Sequence, residues 1–110
     1  MRQLILRVIA AGLLCCMALP GVAESQSDVA KIFQSKCVLC HAADGSGSSP
    51  TGKALHAKDL RSAEVQSLSD AVLTGTITKG KGKMPAFGAR IQPADVQKLV
   101  AYIRSLAAKK

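Results

Sequence analysis

Apolar positions recur along this chain with the period of a helix, and no segment alternates with the period of a strand. The clearest case is Val96, Leu99, Val100, Ile103 and Leu106, an i, i+3, i+4, i+7, i+10 stripe. Pro93 suits the first position of that helix and Asp95 its first turn, while Lys109 and Lys110 complement the negative end of its dipole. Val29, Ile32 and Phe33 share the same spacing and continue into Cys37 and Cys40 on one side. Residues 24–27 read as a polar lead-in to this helix, with Ser27 as its cap and Asp28 in its first turn. A short helical piece is predicted over Ser62 to Gln66. Another starts near Ser69 and runs towards Ile77, with Leu68 and Leu73 spaced as a hydrophobic staple. Two loops remain. Residues 42–52 are rich in glycine and serine, and in Lys79–Gly88 glycine alternates with lysine, which predicts a flexible, solvated segment. The fold class is all-α.

The first segment does not belong to that pattern. Arg2 and Arg7, the apolar stretch from Val8 to Leu19, and Gly21-Val22-Ala23 together read as a secretory signal peptide cut after Ala23. The apolar stretch is shorter than the roughly 20 residues of a membrane span. Cys15 and Cys16 leave with it. Removing these 23 residues, two of them arginine and none acidic, takes a 110-residue chain of net charge +8 to 87 residues at +6. The division is therefore a signal peptide over 1–23 and one domain over 24–110, exported to the periplasm. Aromatic residues make up only 3% of the chain. That argues against nucleic acid, which needs stacking platforms, and leaves a small core short of apolar bulk.

Cys37-Val38-Leu39-Cys40-His41 supplies what could fill that core. Two thiols three positions apart, followed at once by an imidazole, form the attachment signal for a c-type haem. On a helical turn both sulfurs share a face, and His41 is set to bind iron as the proximal ligand. A thioredoxin-like couple would need a strand before the motif, which is absent. A zinc site with His56 would have to use adjacent Cys40 and His41 as ligands, with no second Cys-x-x-Cys outside the leader. Outside the leader Met84 is the sole methionine, followed directly by Pro85. Proline fixes the backbone after it and helps aim a thioether, so Met84 is read as the distal iron ligand. His56, fifteen positions after His41, is read as a surface or loop histidine.

With these residues in place, the chain resembles the class I c-type cytochromes of the small bacterial monohaem kind. The resemblance rests on Lys31-Ile32-Phe33 ahead of the Cys37–His41 motif, on Lys83-Met84-Pro85-Ala86-Phe87, and on Leu99-Val100-Ala101-Tyr102-Ile103-Arg104. It implies crossed first and last helices around one covalently bound haem c, with Phe33 and Tyr102 packed at the crossing beside Leu99. Val29 stands where the family often has glycine, which predicts a wider or shifted crossing. Family members often orient the haem histidine with a proline carbonyl; aligning residues 51–55 puts Lys53 at that place. The sequence has no tryptophan to meet a propionate, and Arg61 is the substitute by charge.

The function expected is that of a one-electron carrier rather than an enzyme, working as a monomer with no membrane span once the leader is gone. Cys37 and Cys40 would carry the thioethers, and His41 and Met84 would hold the iron. Lys36, Lys79, Lys81 and Lys83 would steer redox partners with an acidic docking surface. The alternatives are a small haem peroxidase or gas sensor with a displaceable sixth ligand, and a haem subunit of a larger complex.

Overall fold

The computed structural model describes residues 22–109. The predicted leader, including Cys15 and Cys16, lies outside the described residues except for Val22 and Ala23. Six helices follow one another: α1 (Val22–Lys36), α2 (Val38–His41), α3 (Pro50–Leu55), α4 (Ala63–Gln66), α5 (Asp70–Lys79) and α6 (Pro93–Ala107). Among the described residues there is no strand beyond a single bridge between Lys81 and Met84.

Helix α6 buries all five residues of its predicted stripe, and Val96 and Leu99 are each 1% exposed. It packs against α1 on one side and α5 on the other. Phe33 of α1 meets Tyr102 of α6 with ring centroids 5.0 Å apart and planes tilted by 47°, a favourable offset arrangement. Val29 is buried in the same core, so its branched side chain fills space where a glycine would let the backbones touch.

Side-chain oxygens cap the short helices. Ser62 accepts from the Val65 amide and Ser69 from the Val72 amide, as their positions before α4 and α5 predict. Arg104 of α6 fastens these two helices from outside. Its Nη1 donates to the Gln66 carbonyl (2.8 Å) and its Nη2 to the Leu68 carbonyl (2.6 Å) and the Asp70 carboxylate (2.8 Å). Gln66 reciprocates, donating to the carbonyls of Leu60 and Ile103.

Two local expectations change. Helix α1 already includes Val22, so the polar lead-in is helical and Ser27 lies inside the helix rather than capping it. Ala23, Glu24 and Gln26 are good helix formers, and nothing in that stretch breaks the run. The 42–52 loop ends early, because Ser49 caps α3 and Pro50 takes its first position.

Candidate functional site

The Cys-x-x-Cys-His motif has a helical turn of its own. The chain breaks step at Cys37 (φ −119°), whose carbonyl accepts from His41 N at 2.9 Å, and α2 carries Cys40 and His41. Helix α3 is seated on this turn. Ser49 Oγ donates to the Leu39 carbonyl at 2.7 Å, and a Cβ on Gly52 would run into the Cys40 carbonyl. The motif is thus held from below by a helix that the glycine and serine content of the loop conceals.

His41 Nδ1 lies 3.0 Å from the carbonyl oxygen of Lys58. With the proton on Nδ1 the ring donates there, which leaves Nε2 free to ligate. The orienting carbonyl therefore belongs to Lys58, not to the stretch around Lys53. Lys53 lies within α3, where its backbone follows the helix. Gly47 makes the arrangement possible. Its amide donates to the His41 carbonyl at 2.8 Å, and its φ of +73° suits glycine. A Cβ there would lie 2.6 Å from the Ala57 oxygen and 3.2 Å from that of Lys58.

Met84 sits on a tight turn, not a loose loop. Lys81 and Met84 exchange amide-to-carbonyl hydrogen bonds of 3.1 and 3.0 Å. Beyond the turn, the amides of Phe87 and Gly88 donate to the carbonyls of Ile77 and Thr78 (2.9 and 3.0 Å), near the C-terminal end of α5. Gly80, at φ +75°, lets the segment fold back; a Cβ there would be 2.7 Å from the Met84 oxygen.

Cys37, Cys40, His41 and Met84 all line one cleft of ≈ 420 Å³, walled by residues 35–41, 55–58 and 81–90. Cys37, His41, Met84 and Phe87 also border a smaller apolar recess of ≈ 60 Å³, floored by core side chains including Leu73, Ile77 and Leu99. Mouth and floor belong to one crevice. Its size is that of a ligand pocket, and its donors are two thiols, an imidazole and a thioether. Cys37 and Cys40 form no disulfide with one another. Burial pushes the Cys37 thiol up to about 11, against the lowering pull of Lys36. The donor set and the apolar floor fit a covalently held haem.

Of the other predicted residues, His56 is at the surface as read, while Arg61 and Lys79 stand away from the cleft. His56 is exposed, in the left-handed region at φ 55°, and lies on the cleft wall. Arg61 is not on the wall. Its Nε donates to Asp59 Oδ1 at 3.0 Å, its Nη2 to Oδ2 at 3.1 Å, and Asp44 lies 3.6 Å away. Hydrogen bonding to Asp59 raises its pKa further, and it is a brace for the 44–61 loop. Lys79 ends α5 and is also off the wall, whereas Lys36, Lys58, Lys81, Lys83 and Arg90 surround the opening. Lys58 and Arg90 escaped the sequence reading because nothing local ties them to the motif.

Residues 24–103 match the family model described as "Cytochrome C oxidase, cbb3-type, subunit III". The chain is 35% identical over 94 residues to cytochrome c6 of Picosynechococcus, covering 80% of this chain and 79% of that protein. It is 33% identical over 91 residues to the cbb3-type cytochrome c oxidase subunit FixP of Azorhizobium caulinodans, covering 81% of this chain but 30% of that protein. The solved c-type cytochrome KustC0563 superposes with a TM-score of 0.65 at 29% identity, covering 70% of this chain and 94% of that one.

Proposed function

Because this chain belongs to the class I c-type cytochromes, electron carriers with covalently bound haem c, we propose that it is an exported, periplasmic His/Met-ligated carrier passing one electron at a time between redox proteins. The observation that supports it is the convergence of Cys37, Cys40, His41 and Met84 on a single apolar crevice. Bound haem supplies the chemistry, its iron alternating between ferric and ferrous.

The chain's own residues do the rest. Cys37 and Cys40 would fasten the group through their sulfurs. His41, aimed by the Lys58 carbonyl, would offer Nε2 to the iron, and Met84 its sulfur. A thioether ligand favours the ferrous state and raises the potential. Phe87, Leu99 and Ile103 exclude water from the floor. The cationic residues around the mouth would draw in an acidic partner surface and speed encounter.

The free-carrier reading is supported by the several cytochrome c6 proteins that this chain is similar to. Among the described residues no helix is long and apolar enough to cross a membrane.

The test is an optical spectrum of the mature protein from a host that matures c-type cytochromes. A near-infrared sulfur-to-iron band in the oxidised form and resistance to carbon monoxide when reduced are expected. Met84→Leu should abolish the first and reverse the second. Carbon monoxide binding by the parent protein would instead favour a peroxidase or gas sensor.

A further inference from the structure

Lys58 meets two groups at once. Its backbone carbonyl accepts from His41 Nδ1 at 3.0 Å, and its ammonium lies 2.8 Å from Glu64 Oε1. Glu64 sits in the first turn of α4, whose Ser62 cap and buried Val65 tie that turn to the core. The residue that orients the imidazole is thus not a stiff proline but a lysine with a side chain tethered to a separate helix. The tether adds to the backbone hydrogen bonds on either side of Lys58, from Ala57 N to the Gly52 carbonyl (2.8 Å) and from Leu60 N to the Gly45 carbonyl (2.7 Å), where no proline fixes φ. Lys81, on the turn that carries Met84, also acts on Glu64: after Lys58 it helps lower the carboxyl's pKa. The cleft walls themselves supply Lys58 and Lys81, and among the described residues no acidic one lines them.

We propose that Glu64 is a positioning residue for the iron ligand His41, acting through Lys58: by holding the ammonium it fixes the carbonyl that orients the imidazole. This rests on the reading of His41 as a ligand, but its failure would look different. A misassigned ligand would leave the haem spectrum of His41 variants unchanged. A wrong role for Glu64 would leave His41 ligation intact and its ring proton unmoved.

The experiment uses ferrous holoprotein and follows solvent exchange of the His41 Nδ1 proton by NMR, together with the reduction potential. Glu64→Gln, an exposed change that spares the fold, should speed exchange about two- to fivefold, the range an exposed charge pair is worth. Lys58→Met should do the same, and the double variant no more than either single one, because both act on one link. The exchanged pair, Lys58→Glu with Glu64→Lys, should return exchange towards the parent. The potential should shift with exchange in every variant, since the hydrogen bond at Nδ1 tunes ligand basicity. Unchanged exchange in Glu64→Gln would overturn the proposal. So would additive effects in the double variant, or a potential shift without one in exchange, which would mark Glu64 as a distant charge only.

Discussion

Gly52→Ala should be the most damaging small substitution near the site, and Gly75→Ala a stabilising one, although both add a single methyl to a helix. At Gly52 the new Cβ would collide with the Cys40 carbonyl and lie 2.6 Å from the Gly47 oxygen and 2.8 Å from Ser49 Oγ. The first two are backbone atoms of the segments that hold the motif, so the strain cannot relax through a flexible side chain. Such overpacking costs about 3 kcal/mol, the upper end of its usual range. The better helix propensity of alanine returns about 1 kcal/mol. The net loss of about 2 kcal/mol corresponds to a fall in Tm of about 8–16 °C for a domain this small. At Gly75, within α5, no heavy atom outside the helix backbone lies within 4 Å of the added carbon. There only the propensity gain applies, about 1 kcal/mol or a rise of about 4–8 °C. Far-UV circular dichroism melts of the oxidised holoproteins measure both. Gly52→Ala should also lower haem incorporation, because its collision displaces α2. Melting of Gly52→Ala within 2 °C of the parent, with full incorporation, would refute the seating of α3 on the Cys-x-x-Cys-His turn.

Arg104→Ala should cost about 1–3 kcal/mol, since the carbonyls of Gln66 and Leu68 and the Asp70 carboxylate lose one shared donor. Arg104→Lys should recover little of it, because an ammonium cannot span the three acceptors as a guanidinium does; urea denaturation distinguishes them. Reversing the charges of Lys81 and Lys83 should slow electron exchange with an acidic partner at low salt, while reversing Lys79, off the cleft wall, should do much less. Stopped-flow rates across a salt series measure this, and equal effects would remove the docking face. Hydrogen bonding from Lys58 holds the Glu64 carboxyl below its ordinary 4.5. A depressed carboxyl stabilises the fold above its unfolded pKa, and that contribution disappears as pH falls through the folded one. Melts of the parent and Glu64→Gln should therefore differ above pH 4.5 and converge in stronger acid.

What the sequence discloses is what depends on neighbours along the chain. The α6 stripe from Val96 to Leu106 is visible because burial and helical period coincide, and the Ser69 cap because it acts three residues away. Ser49-Pro50 carries the same kind of signal, yet Gly45, Gly47 and Gly52 around it outweigh a six-residue helix. The Lys58 carbonyl leaves no trace in sequence: every residue has one, and only the path of residues 42–58 brings this one to His41. Arg61 misleads for the opposite reason. Its charge suggested a distant partner, while Asp59, two residues away, and Asp44 had already claimed it.

The anchoring of the 81–88 segment separates two properties that a metal site usually ties together. Its frame is stitched by peptide groups, from Lys81 and Met84 to one another and from Phe87 and Gly88 to the end of α5. Residue 84 contributes its amide and carbonyl to that frame whatever atom its side chain presents. The ligand proposed there is interchangeable cargo on a fixed mount, so on that reading the electrochemistry of the fold can be retuned at one position without redrawing its architecture.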